Sequence, residues 1–150
     1  MVMVVIGILA AVAMPRMGNL SSYSLNSAAS DLLEALRFAQ QQSMSHSGAA
    51  HFEVALSGSG FTVQRKGGAN VANPLTGAAS YTQDAEAWSG VSITSATGTI
   101  TFDSRGQPLC NPPLTACSQP GDSNFGITLL ANGENRTVTI ERYTGYAHIL

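Results

Sequence analysis

The hydrophobic pattern divides the chain into three stretches. Residues 1–14, MVMVVIGILAAVAM, carry no charged or polar side chain, and the first charge is Arg16, just after Pro15. Further on, Leu25, Ala29, Leu32, Leu36, Ala39 and Ser43 recur at steps of three and four, with Leu33 and Phe38 widening the stripe. That spacing turns one face of a helix toward a core. Asp31, Glu34, Arg37 and Gln41 fall off the stripe and are predicted to point away from the core. From residue 50 the period drops to two, the mark of half-buried strands. Strands are predicted at 50–56 and 61–65 around Ser57-Gly58-Ser59-Gly60, with 66–80 loop-like. Two short strands at 91–93 and 99–102 lie on either side of a Gly98 turn. Two more, 127–130 and 137–141, flank Asn132-Gly133, a strong hairpin signal. Residues 146–150 would form a last edge strand. The expected fold is α+β: one helix over about 2–46, bent near Pro15 and ended by Ser47-Gly48, then an antiparallel sheet covering its C-terminal half.

The apolar start admits three readings. Fourteen helical residues rise about 21 Å, short of a bilayer core of about 30 Å. The run could be a buried core helix, a signal peptide cut after Ala11-Val12-Ala13, or the remainder of a longer membrane helix that begins upstream. Composition narrows the surroundings. At 150 residues the chain suits one domain. Its formal net charge is -2, and 11% of residues are charged, less than half the usual share of about 25%. That excludes a strongly basic nucleic-acid binder and argues against a charged disordered chain.

Residues 4–17, VVIGILAAVAMPRM, resemble the N-terminal helix of type IV pilins and type II secretion pseudopilins. Gly7 and Pro15 stand where that family has its helix glycine and its helix-bending proline. The resemblance implies a leader removed by a prepilin peptidase, a methylated new N-terminus and about seven further mature residues upstream. Those would extend the run to about 21 residues, or roughly 31 Å, enough to cross a bilayer. The family's glutamate, which pairs with a neighbour's amino terminus, has no counterpart here. Thr101-Phe102-Asp103-Ser104-Arg105-Gly106-Gln107-Pro108 looks like the Phe-x-x-x-Gly turn of GspH-type and FimT-type minor pseudopilins. Val138-Thr139-Ile140 followed by Thr144-Gly145 resembles their closing strand and its glycine. A mannose-sensitive-haemagglutinin-type minor pilin is a further relative of this kind.

The resemblance implies a division into 1–16, a membrane and filament-core stem, and 17–150, a periplasmic head that includes the rest of the helix. Stem contacts would fall to Val4, Val5, Ile6, Gly7, Ile8, Leu9, Ala10, Ala11, Val12, Ala13, Pro15 and Arg16. The implied partners are other pilin or pseudopilin subunits, the inner-membrane assembly platform, the prepilin peptidase and the lipid bilayer. The implied place is a single-pass position in the bacterial inner membrane, followed by assembly into an envelope filament.

The remaining chemistry is sparse. Cys110 and Cys117 are separated by six residues that include Asn111-Pro112-Pro113. A disulfide suits an exported head and would contribute about 2–3 kcal/mol; two free thiols or a metal or redox role are the alternatives. His46, His51 and His148 are scattered, and zinc would want four ligands. Asp84 and Glu86 precede Trp88 and are predicted to be surface acids before a buried indole. Asp103 is expected to accept backbone hydrogen bonds in its turn, and Gly106 to carry the turn's special dihedral. No nucleophile elbow, phosphate loop or HExxH motif occurs, so neither an enzyme nor a cofactor is expected. The expectation is a structural subunit serving type II secretion or type IV pilus biogenesis. The alternatives are a FimT-like DNA-binding pilin and a secreted soluble protein with a cleaved signal peptide. Arg105, Arg136, Arg142 and His148 stand against Asp103, Asp122, Glu134 and Glu141, which argues against DNA as a partner.

Overall fold

The computed structural model describes residues 20–46, 51–84, 87–95, 97–111 and 124–150. The stem residues Val4 to Arg16, the Pro15 bend and Cys117 lie outside the described residues.

Helix α1 spans Leu20–Ser45. Its buried row is Leu25, Ala28, Ala29, Leu32, Ala35, Leu36, Ala39 and Ser43, the predicted stripe with two more alanines. The four alanines bring the helix axis close to the sheets, and the leucines fill the space between. The helix ends where Gln42 O accepts both His46 N at 3.2 Å and Ser45 Oγ at 2.9 Å. Ser43 is buried because it has work in the next element: its Oγ accepts Phe52 N–H at 2.9 Å and so fixes where the first strand starts.

Ten strands follow. They are β1 (Phe52–Ser57), β2 (Gly60–Arg65), β3 (Ala69–Asn70), β4 (Tyr81–Asp84), β5 (Ser92–Ile93), β6 (Gly98–Phe102), β7 (Pro108–Asn111), β8 (Phe125–Ala131), β9 (Glu134–Ile140) and β10 (Ala147–Ile149). They form two antiparallel sheets. The first runs β3-β2-β1-β6-β7, with β4 also on β2. Strand β4 covers Gly60 to Val63 of β2, and β3 covers Gln64 and Arg65, so the two share one edge. The second sheet runs β10-β9-β8-β5.

Alternation decides which face looks inward. In β8 every second residue is buried, from Phe125 through Ile127 and Leu129 to Ala131. Val54, Leu56, Phe61, Val63, Ile100 and Phe102 do the same in the first sheet. Both inner faces meet α1, which packs on β1, β8, β9 and β10.

Several strands depart from the sequence expectation. The 91–93 and 99–102 segments are not partners across a Gly98 turn. Strand β5 pairs with β8 in one sheet, while β6 pairs with β1 in the other. Gly98 opens β6 opposite Leu56. The chain crosses between sheets here because Ile93 N–H reaches Gly58 O at 3.1 Å, joining β5 to the β1–β2 turn. The 66–80 stretch holds β3, and Tyr81–Asp84 forms β4. Cys110 falls in β7, a strand the sequence pattern did not mark, opposite Ile100. Pro108 can begin β7 because an edge strand leaves one side of the ladder unpaired. Asn132 (φ 49°) and Gly133 (φ 84°) form the two-residue hairpin turn, with both residues at positive φ as a type I′ turn requires.

Candidate functional site

Two turns and one helix side chain form a tight junction in the head. The β6–β7 turn closes with Asp103 N–H donating to Gln107 O and Gly106 N–H donating to Asp103 O, both at 2.9 Å. Asp103 Oδ1 also accepts Arg105 N–H at 2.9 Å and Gln107 N–H at 2.7 Å. Gly106 sits at φ 80°. In the second sheet, the β9–β10 turn closes with Gly145 N–H on Glu141 O at 2.8 Å, and Gly145 sits at φ 67°.

These turns belong to different sheets, yet they touch. A Cβ on Gly145 would lie 2.0 Å from Gly106 O. Gln40 of α1 closes the junction: its Nε2 donates to Gly106 O at 3.0 Å and to Thr144 O at 2.7 Å. A side-chain amide has two N–H donors, and here each takes a carbonyl from a different sheet. Asp103 and Gly106 were marked from the sequence, and Gly145 by resemblance. Gln40 was not, because a glutamine off an apolar stripe carries no local signal of a distant partner.

A second junction ties α1 to the first sheet. Asp31 Oδ2 accepts Trp88 Nε1–H at 3.1 Å and Gln83 Nε2–H at 3.4 Å. Asp31 therefore does not simply point away from the core; it anchors the Trp88 ring, which is 2% exposed. Phe61 touches both Trp88 and Tyr81, with centroids 5.5 and 6.0 Å apart, and Phe38 of α1 meets Tyr81 at 5.7 Å. Burial pushes the Tyr81 phenol above its ordinary pKa of 10.0, and the charges of Glu34 and Asp31 push it further the same way. Arg37 is exposed, as predicted, and still has a tertiary role. It donates from Nη2 to Ala147 O at 3.1 Å and lies 5.8 Å from the Tyr146 ring, so it holds β10 to the helix.

Of the cysteine pair, Cys110 is placed in β7 and Cys117 is outside the described residues. His46, His51 and His148 do not converge. Among the described residues no group of three His, Cys, Asp or Glu side chains could hold a metal ion. No helix among them is long and apolar enough to cross a membrane.

A single amphipathic helix lying across two antiparallel sheets, clamped to the closing turn of each, defines a pilin-like α+β head. The family model for the type II transport protein GspH matches residues 28–144, well over half of the chain, and the chain belongs to that family. The matched span begins within α1 and takes in Gln40, Gly106 and Thr144. No curated protein and no solved structure matches the chain.

Proposed function

We propose that the chain is a minor pseudopilin, a structural and non-enzymatic subunit of an envelope filament that serves type II protein secretion. Its membership of the GspH family carries this reading. The sequence adds support: the uninterrupted apolar run of residues 1–14 stands directly ahead of the amphipathic helix. Residues 4–16 would anchor the chain in the inner membrane and then pack with other stems in the filament core. The exchange replaces lipid contacts with helix contacts, which needs small and branched apolar residues such as those of Val4 to Ala13. A platform protein and an ATPase would drive assembly.

The junctions of the head fit this work. A filament subunit is pulled by its stem, and the load reaches the head through α1. Gln40, Asp31 and Arg37 tie that helix to both sheets by hydrogen bonds. A Cys110–Cys117 disulfide would close an eight-residue loop that begins within β7 and contribute about 2–3 kcal/mol. Titration of thiols in the oxidised protein checks it; none should react before reduction, and two reactive thiols would remove the bridge.

The filament reading is tested by intact-mass and N-terminal analysis of the membrane-fraction protein made from its native locus. The expected chain begins upstream of Met1, is N-methylated and runs into MVMVVIGILAAVA. A soluble chain beginning at Met14 would show a cleaved signal peptide and overturn the reading.

A further inference from the structure

Between β3 and β4 the backbone has no strand partner, and Asn73 supplies its order. Asn73 Oδ1 accepts Leu75 N–H at 2.8 Å and Thr76 N–H at 3.2 Å. The Asn73 backbone closes the loop as well, its N–H on Ala78 O and its O on Gly77 N–H, both at 2.9 Å. An asparagine that bonds amides two and three residues on is a turn former, and this one is itself buried. The loop is thus fixed before any partner arrives. It nevertheless presents Leu75 73% exposed. A single exposed leucine is ordinary. This one stands on the lip of a cleft.

The cleft lies between that loop and the side of α1. It holds about 220 Å³ and is lined by Glu34, Arg37, Phe38 and Gln41 of the helix, Pro74 and Leu75 of the loop, and Tyr81 of β4. Steps of three and four put the helix residues on one side. The volume falls below the roughly 300–1,000 Å³ of small-molecule sites and suits one long side chain. Two acceptors border it. Tyr81 is 5% exposed, and its hydroxyl has no hydrogen-bond partner among the described residues. Glu34 is exposed and has neither a hydrogen-bond nor an ion-pair partner among them. The nearby bases are occupied elsewhere. Arg37 lines the cleft, but its guanidinium is drawn to Ala147 O and the Tyr146 ring. Arg65, two residues beyond the Val63 that pairs with Tyr81, lies over the Phe52 ring. Asp31, three residues before Glu34, is bonded to the neutral donors of Trp88 and Gln83. The charges that act on the Tyr81 phenol are those of Glu34 and Asp31, so the floor of the cleft favours positive charge.

We propose that this cleft binds one arginine or lysine side chain carried on an extended segment of another protein. The apolar stem of that side chain lies along Phe38, Pro74 and Leu75, and its cationic head meets Glu34 and the Tyr81 hydroxyl. A hydrogen bond to an ionised carboxylate is among the strong ones, and the fixed loop spares the ordering that a mobile one would need. Four of the six described bases of this chain, Arg37, Arg65, Arg136 and Arg142, already make contacts within their own head. That favours a different protein over a second copy as the partner. The proposal does not rest on the filament reading.

The test uses the full-length protein in lipid nanodiscs, carbon-13 labelled in leucine, phenylalanine and tyrosine and followed by nuclear magnetic resonance. It is titrated with the peptide acetyl-Leu-Arg-Leu-amide. The control peptide has citrulline in place of arginine, which keeps the shape and removes the charge. The expected shifts centre on Phe38, Leu75 and Tyr81, with the citrulline peptide binding about fivefold more weakly. Glu34→Gln, at an exposed position that leaves the fold intact, should weaken the arginine peptide about fivefold and change the citrulline peptide less than about twofold. Leu75→Ala, also exposed, should weaken both peptides alike. No shift at Phe38 and Tyr81 with the arginine peptide at about 10 mM overturns the proposal. So does equal binding of the two peptides, or a Glu34→Gln variant that binds the arginine peptide as the parent does. Shifts of the same residues on raising the protein concentration without peptide place a second copy in the cleft and overturn the choice of partner. None of these readings depends on the N-terminal mass, so the filament reading stands or falls apart from them.

Discussion

Three glycines at positive φ separate backbone strain from crowding. Gly133 (φ 84°) would place a Cβ in open space. Gly106 (φ 80°) would place it 2.8 Å from Met44 Sδ, the end of a flexible side chain that can move. Gly145 (φ 67°) would place it 2.0 Å from Gly106 O, on backbone that Gln40 holds. Alanine at 133 should therefore cost about 1 kcal/mol, at 106 about 2, and at 145 about 4 or more. Urea unfolding of the three variants gives the order, and equal costs would show that the glycine junction is not tight. Tyr81 supplies a pH signature. Its pKa is raised in the folded state by burial and then by Glu34 and Asp31. The folded state therefore holds the phenolic proton more tightly than the unfolded chain. This contribution is complete below the ordinary pKa of 10.0 and is lost as pH rises through the higher folded value. Stability measured against pH should fall above about pH 10, and Tyr81→Phe should flatten that fall.

At the scale of elements, the helix depends on its inward row more than on its own propensity. Leu32 is 0% exposed and faces the sheets. Leu32→Ala should destabilise the head by about 2–5 kcal/mol, the usual cost of a buried leucine and the cavity it leaves. Leu33→Ala should cost clearly less, because Leu33 is only partly buried against the core. Thermal or urea unfolding compares the two, and a reversed order would place the wrong face inward. Strand β7 shows a different dependence. It has a proline at its start and pairs on one side with β6, so its place comes from its partner and not from its own composition.

At the scale of the whole molecule, both sheets share one helix and one core. Phe61, Trp88 and Tyr81 pack under the first sheet, while Phe125, Ile127 and Val138 belong to the second, and all join a single buried cluster. Ile93 N–H on Gly58 O links the sheets at one end, and Gln40 links them at the other. The head is thus expected to unfold as one unit. Fluorescence of Trp88 reports on the first sheet and far-ultraviolet circular dichroism on the backbone as a whole. Their midpoints in urea should coincide; separate transitions would show sheets that fold independently.

The sequence by itself determined the elements whose signals are local. The stripe from Leu25 to Ser43 marked the buried face of α1, because helical periodicity is written in neighbouring residues. Asn132-Gly133 marked the β8–β9 hairpin for the same reason: its backbone requires residues that accept positive φ. The turn chemistry of Asp103 and Gly106 was readable on the same ground. Partners across space were not. Nothing near Gln40, Asp31 or Arg37 shows that each bonds to a residue 50 or more positions away, as the turns of Gly106 and Thr144, the indole of Trp88 and the carbonyl of Ala147 do. Nor could short strands reveal which sheet they join. Strands β5 and β6 are close in sequence, but each gains its hydrogen bonds and its buried face from a different neighbour. Only the tertiary structure decided this, since a two- to five-residue strand is stabilised by what it packs against and carries too few residues to specify that partner alone.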